Sequence, residues 1–542
     1  MMSFQRYHNH CRNRKREIAS YLLQTVLPKT KRLHTCSFPF KYQYQWKLLT
    51  TSYLTKSMSY NSLRYCSTKG KDGSFLPQTH HHRLERATRR LLDASIGSLT
   101  AGHLEELSTA ISYWSTERRN DCNSYMMIEA LRCRLLQEEK YIGQSLLTTC
   151  ICQSIMEGWI KCSVYSTKHI KEPLRTTVLK MQQLLDHILE QYRSGNMRMK
   201  PNDFVFSLVM DGWADLCDIK YADLWKNDPF YPAKQVQNLL SLMEHVYEID
   251  ERKPNTACYN IAIKAWAKSA NKVDNKSTHE ASAAAKAESI LMNMLEWYRL
   301  EKDSCTTMRA PDAMTFNTVM HAWAESVHLE NYASKAEHIL NLMTSFSEEQ
   351  HQWLKHPKKY SNHRHTSSFV LVKPDKVSYS TVISAYATSP VRGAHLKAQQ
   401  LLRTMEDLSA ADSNLCPNAY TYNAVIKAIA KSGCSDAPFQ AEALLLRMLK
   451  LFQDGHSNNE MAPDIFSFNA VIHGWASSNH AKASERAEEI LRQMQCLSHK
   501  QHSLVSIRPD IVSYNTVCDA IAKSRKNLRC SRTRGSTLWN PQ

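Results

Sequence analysis

Glycine is scarce, with 13 of 542 residues, about a third of its usual share of ~7%. Barrels, sandwiches and nucleotide-binding α/β folds spend glycine on tight turns and phosphate loops. The shortage therefore points to helices joined with few such turns. None of the 16 cysteines stand as Cys-x-x-Cys, which excludes the usual zinc-ribbon spacing. The closest pair, Cys150 and Cys152, lies in an apolar stretch and reads as small buried thiols. No apolar run reaches the ~18–20 residues of a membrane span, so no transmembrane helix is expected. Acids are missing from one region: residues 1–71 hold 14 Lys or Arg against Glu17 alone.

The formal charge of +18 is thus unevenly spread. Residues 1–71 carry +13, contain many Ser, Thr and Tyr, and include a segment, 12–27, able to coil as a basic amphipathic helix. An acid-poor terminus of this kind reads as an organellar transit peptide, cleaved near 64–67. The expected compartment is the mitochondrion, with the plastid as the alternative. The other reading is a disordered basic tail that binds polyanions. No apolar core of ~7–15 residues follows the first charges, which argues against a secretory signal. Residues 523–542 add +6, leaving 72–522 at −1. Residues 72–145 read as a linker and an N-terminal helical segment, rich in Arg, Leu and Glu from residue 83, that caps the N-terminal end of a repeat array. Residues 525–542 read as a basic C-terminal tail.

The array shows itself in a phrase that recurs. It starts at Pro201, Pro254, Pro311, Pro374, Pro417, Pro463 and Pro509, and the fifth copy is PNAYTYNAVIKAIAKSG. Proline ends the preceding segment, and the Asn or Asp beside it is a favoured helix cap. Tyr422, Val425, Ile426 and Ile429 then recur at helical spacing. A second phrase, Ala-Glu/Gln-x-Ile/Leu-Leu-x-x-Met, begins at Ala287, Ala336, Ala398, Ala441 and Ala487. It is amphipathic, with a Leu and Met stripe for a partner helix. Residues 232–247 supply its less regular first version. Each unit is a helix pair that cannot bury its apolar face alone. The expected fold is all-α, an α-solenoid of stacked antiparallel helix pairs. The array spans 146–524, with about seven recognisable repeats, the last incomplete. A degenerate copy at 151–192 precedes them, where MEGWIKC at Met156 echoes MDGWADL at Met210.

The Pro-Asp, Thr-Tyr-Asn and Ala-Glu-x-Leu-Leu-x-x-Met phrases resemble the pentatricopeptide repeat family, whose repeats bind single-stranded RNA. The resemblance covers about 201–524. The prolines stand 53, 57, 63, 43, 46 and 46 residues apart, longer than the family's repeat. The excess reads as extended loops at 270–281 and 347–372.

The resemblance implies that each repeat reads one base through two side chains. The first is the residue five after the Asx: Ser207, Asn260, Asn317, Ser380, Asn423, Asn469 and Asn515. The second closes the repeat: Asn255, Asp312, Asp375, Asn418, Asp464 and Asp510. Asn can donate and accept, whereas ionised Asp only accepts; a carboxylate favours an edge N–H such as uracil N3–H. The family's pairing rules then imply a target core of AUUAUU. Three residues before each specifying position stand Phe204, Ala257, Met314, Val377, Tyr420, Phe466 and Val512. They are candidates for base stacking, or alternatively for inter-repeat core. Lys264, Lys268, Lys427, Lys431 and Lys523 lie further along the same helices as candidate phosphate contacts. Trp213, Trp266, Trp323 and Trp475 hold one equivalent place and read as packing residues.

No catalytic constellation is found. His103-Leu104-Glu105 matches half of a zinc deaminase motif, but no Pro-Cys-x-x-Cys comes after it. Walker A, GxGxxG and HExxH motifs are absent. His80–His82 fall in what reads as a polar linker. No cofactor and no metal are expected. The expected partners are single-stranded organellar RNA and protein cofactors of RNA processing. The expected role is non-catalytic transcript stabilisation, processing or translation. A tetratricopeptide-like protein scaffold is the alternative; a peptide groove has no reason to repeat the polar Asx…Asn pair.

Overall fold

The computed structural model describes residues 78–97, 101–116, 122–142, 146–165, 172–225, 227–248, 254–270, 282–300, 310–355, 371–453, 461–500 and 507–535. The basic segment 1–71 lies outside the described residues, as does most of the expected loop at 270–281. Among the described residues the chain forms eighteen α-helices, a few short 3-10 turns and no strand. It divides into two compact units, residues 1–166 and 167–542.

In the first unit, α1 (Gln78–Asp93), α2 (Ala101–Thr116), α3 (Cys122–Ile142) and α4 (Thr149–Tyr165) pack together. Residues 80–82 belong to α1, not to a linker: helix begins earlier than the polar composition indicates. Helices α2 and α4 lie against each other and both lie against α3, burying Leu107, Ile111, Ile128, Leu131, Ile155 and Trp159. Cys152 is part of this core, whereas Cys150 is exposed. The two point to different sides of α4, since successive helical positions diverge by ~100°.

A buried ion pair ends α1. The Arg134 guanidinium meets Glu138 at 2.6 Å. It also donates to the carbonyls of Leu91 and Ser95 at 3.2 and 2.9 Å. Glu138 accepts the backbone N–H of Gly97 at 3.0 Å. Gly97 has φ +85°, and a Cβ there would stand 2.3 Å from the Tyr141 ring, so glycine is required.

The second unit opens with α5 (Glu172–Arg193) and continues as helix pairs. The first helices are α6 (Asp203–Asp215), α8 (Thr256–Lys268), α10 (Ala313–Glu325), α12 (Lys376–Thr388), α14 (Ala419–Lys431), α16 (Ile465–Ser477) and α18 (Ile511–Gly535). The second helices are α7 (Tyr231–Glu248), α9 (Ala283–Leu300), α11 (Tyr332–Lys355), α13 (Ala394–Ser409), α15 (Ala437–Gln453) and α17 (Ala483–Lys500). Each first helix but the last packs on the next first helix and on its own second helix, and every one packs on the helix before it. Neighbouring pairs thus share one continuous core. Met243, Met294, Met343, Met405, Met448 and Met494, the last letter of the second phrase and its first-copy equivalent, are all fully buried. Each contributes ~1.5–3 kcal/mol by burial. The four tryptophans of the first phrase are buried as well.

Two segments are more ordered than their composition indicates. Residues 347–355 continue α11, and Gln350, itself buried, accepts the backbone N–H of Val372 at 2.9 Å. The long excess after the third repeat is therefore partly helix. Helix α18 continues through Gly535, so the basic residues 525–535 extend it as helix.

Removing one member of a buried ion pair strands the other and costs ~3–5 kcal/mol. Glu138→Ala is expected to destabilise the first unit by about that amount, measured by urea unfolding tracked through Trp114 and Trp159 fluorescence.

Candidate nucleic-acid interface

Every first helix starts with an Asx side chain over its open backbone N–H groups. Asn202, Asn255, Asp312, Asp375, Asn418 and Asp464 each accept the N–H three residues on. Asp510 does the same from Ser513 at 2.8 Å. Such a cap contributes about 0.5–2 kcal/mol. At Asp312, Asp375 and Asp464 the side chain of Thr315, Ser378 or Ser467 also accepts the cap's own N–H, completing a reciprocal box.

Capping leaves part of each carboxylate free, and the specifying Asn of the preceding repeat reaches it. The Asn260 amide donates to Asp312 at 3.2 Å. Asn317 donates to Asp375 at 3.2 Å. Asn423 donates to Asp464 at 2.9 Å and Asn469 to Asp510 at 3.3 Å. Residues 41 to 58 positions apart thus form four equivalent side-chain pairs.

The serine junctions differ. Ser207 donates its hydroxyl to the Phe204 carbonyl at 2.9 Å, and Ser380 donates to Lys376 at 2.7 Å. Neither is bonded to its closing Asn among the described residues. Asn255 instead donates to Asp203 at 2.9 Å. Asn515 is exposed on α18.

The residues three before the specifying positions are solvent-facing. Phe204, Met314, Val377, Tyr420, Phe466 and Val512 range from 45% to 69% exposed, and Ala257 is exposed too. They are therefore not inter-repeat core. They give one exposed apolar side chain at the same place in each repeat. Tyr420 alone ties its hydroxyl down, donating to Ser384 at 3.0 Å.

The lysines fall into two groups. Lys264 meets Asp211 at 2.8 Å and Asp215 at 3.8 Å, and Lys268 meets Asp215 at 2.8 Å. Burial opposes the charge of Lys264, but the bonds to Asp211 and Asp215 outweigh it and hold the amine above its ordinary value. Lys427 and Lys431, at the same two places three repeats later, are exposed and have no carboxylate partner among the described residues. Ser384 and Thr388 stand where the aspartates would be. Lys523 donates to the Ser477 carbonyl at 3.0 Å at the end of α16.

Among the described residues no three His, Cys, Asp or Glu side chains converge as a metal site requires, and no helix is long and apolar enough to cross a membrane. His103 and Glu105 lie on α2. Burial pushes the thiols of Cys152 and Cys258 up to about 12, which keeps both unreactive at neutral pH. No family model and no curated protein matches the chain.

Sequence reasoning missed one determinant. Thr315, Ser378, Ser467 and Ser513, each two before a specifying residue, close the reciprocal boxes, and their signal is the Ser or Thr that follows each Pro-Asp by three.

This geometry has two measurable outcomes. Exposed ion pairs contribute ~0.2–1 kcal/mol each, so Lys264→Ala with Lys268→Ala lowers the melting temperature by ~1–4 °C. Lys427→Ala with Lys431→Ala leaves it unchanged; differential scanning calorimetry separates the two. The Asp510 carboxyl is held below its usual range chiefly by the Ser513 backbone N–H; desolvation opposes this, and the Ser513 hydroxyl, the Asn469 amide and the Val512 backbone add to the lowering. Its ionised form stabilises the fold above the unfolded-state pKa, and that stability is lost as pH falls through the lower folded value. An NMR titration is expected to place the Asp510 midpoint below the ordinary ~3.9.

Proposed function

We propose that the second unit is a pentatricopeptide-type α-solenoid that binds single-stranded RNA, one base to each repeat junction. The observation that carries this reading is the fourfold Asn–Asp pair. Two side chains singled out as a base-reading couple, far apart in sequence, lie within hydrogen-bond distance of each other at successive junctions. Beside them runs the exposed row from Phe204 to Val512. Aromatic members of such a row stack on bases of any sequence, at ~1–3 kcal/mol per base. The polar couple then selects among bases by their edges.

Mechanistically the protein acts by occupancy. A bound single strand is shielded from nucleases or kept unpaired, and no bond is made or broken. The basic, acid-poor residues 1–71 support delivery to an organelle, the mitochondrion before the plastid. There the bound transcript would be stabilised, processed or translated with the help of protein cofactors of RNA processing. The couples Ser–Asn, Asn–Asp, Asn–Asp, Ser–Asn, Asn–Asp and Asn–Asp give the core AUUAUU.

The purified chain is expected to bind an RNA containing AUUAUU at least tenfold more tightly than a scrambled strand in a filter or anisotropy assay. Equal affinity for the two would overturn the reading. A sharper test exchanges Asn260→Thr and Asp312→Asn together, and is expected to change the preferred base at that junction alone. Recovery of proteins but no enriched transcript after crosslinking in isolated organelles would favour a protein scaffold.

A further inference from the structure

We infer that Thr315, Ser378, Ser467 and Ser513 are positioning residues for base selection, each fixing the amide of one base-facing Asn; this rests on the RNA reading above. An Asn side chain can present either its carbonyl or its NH2 from nearly the same volume. What it shows a ligand depends on which end is already engaged. At all four Asn–Asp junctions the carbonyl end is engaged by a hydroxyl. Thr315 donates to Asn260 Oδ1 at 2.6 Å, Ser378 to Asn317 at 2.7 Å, Ser467 to Asn423 at 2.6 Å and Ser513 to Asn469 at 2.6 Å.

The hydroxyl is itself oriented. Each accepts the backbone N–H of the capping Asp at 3.1–3.2 Å. One of its two lone pairs is thereby engaged, and the Asn carbonyl is the nearest acceptor for its proton, with the Asp oxygen the longer alternative at 2.8–3.0 Å. A relay runs from backbone N–H through the hydroxyl to the amide oxygen. With its carbonyl held there and one N–H on Asp, the Asn has a single N–H left to offer. The Asp beside it offers its remaining acceptor capacity. Each junction thus displays one donor and one acceptor in a fixed order.

Other junctions in the same chain act as internal controls. At the Ser380–Asn418 junction the specifying residue is a serine with no amide, and Thr421 turns its hydroxyl to the Oδ1 of the cap Asn418 at 2.9 Å. Between Ser207 and Asn255 the equivalent residue is Cys258, and the Asn255 amide swings away to Asp203. The relay is found where an Asn faces an Asp.

The test uses the full chain with Ser467→Ala and Ser467→Thr, the latter keeping the hydroxyl as Thr315 does. Binding is measured to four RNAs that differ only at the base facing Asn423 and Asp464. Losing one hydrogen bond to the amide is expected to cut the preference for the best base over the worst by roughly three- to tenfold. Preference at neighbouring bases stays the same, and Ser467→Thr restores the loss. A purely capping role would lower the melting temperature and weaken all four RNAs alike; that result overturns the inference. The Asn423 side-chain NH2 resonances give a readout without RNA: Ser467→Ala is expected to speed their exchange with solvent, and Ser467→Thr to leave it slow. Unchanged exchange in Ser467→Ala, with base preference intact in the wild type, overturns the positioning role alone. A wild-type chain with no base preference at this junction overturns the RNA reading and the inference with it.

Discussion

A helix begun at a proline leaves its first backbone N–H groups without partners, and the repeat row depends on how one Asx side chain meets that need. The Asx accepts an N–H from inside its own helix, which fixes its rotamer and aims its remaining acceptor back along the row. The preceding first helix then has one place where a donor can meet it, and Asn260, Asn317, Asn423 and Asn469 occupy that place. Helix initiation, repeat register and the polar couple are thus one arrangement. An isolated cap would be interchangeable among Ser, Thr, Asn and Asp. A cap that must also receive an amide from the preceding first helix is best served by the two oxygens of a carboxylate, and all four couples use Asp.

A second ladder joins the buried ends of the first helices to the second helices, and its members change together. Trp213 donates its indole N–H to Gln182, Trp266 to Gln237 and Trp475 to Glu442, while Tyr386 donates to Glu337. Where the first helix carries Ile429 or Ile521 at this position, it has no donor to offer. The next second helix answers the same acceptor: Lys335 meets Glu288, Lys397 meets Glu337 and Arg486 meets Glu442. Gln440 meets Gln399, so an amide faces an amide where a carboxylate elsewhere faces a cation. Trp323 is the exception. Lys335 lies 5.5 Å over its ring and takes Glu288, leaving the indole N–H unsatisfied. A further column obeys the same logic, with Tyr259 on Glu244, Tyr422 on Glu406 and Tyr514 bonded to Gln495. Phe316 and Phe468 stand at repeat positions where the matching second-helix residues are Leu295 and Leu449. These matched sets make each helix a poor substitute for its neighbour, which limits slippage in an array of near-identical units.

The helix pairs, their starts and the Met stripe were legible because caps and apolar periodicity are local properties. The meeting of Asn423 with Asp464 was legible only through family resemblance, since nothing within 41 residues of sequence requires it. Three features could not be read. Residues 347–355 are polar enough to pass for loop, yet buried Gln350 holds Val372 and keeps the helix going. The roles of Lys264 and Lys427 are indistinguishable within their own helices, because the difference is made by Asp211 and Ser384 one repeat earlier. The hydroxyl of Ser467 looks like an ordinary helix-start residue until its distance to Asn423 is known.

The charge distribution bears on what kind of nucleic-acid surface this can be. Residues 72–522 net −1, and the Lys264 and Lys268 pair is neutralised within the row. Counterion release scales with the number of phosphates met by free cations. With Lys264 and Lys268 engaged by aspartates and Lys427 and Lys431 exposed, that source contributes unevenly along the array. What the row offers uniformly is apolar side chains and polar couples, which act on base faces and base edges. Base faces and edges are accessible together only when bases are unpaired. A duplex would present phosphates to a surface poorly equipped to hold them and would hide the groups that the Asn–Asp couples can address. Under the proposed reading the near-neutral array suits a single strand, and its selectivity would rest on how rigidly each couple is held.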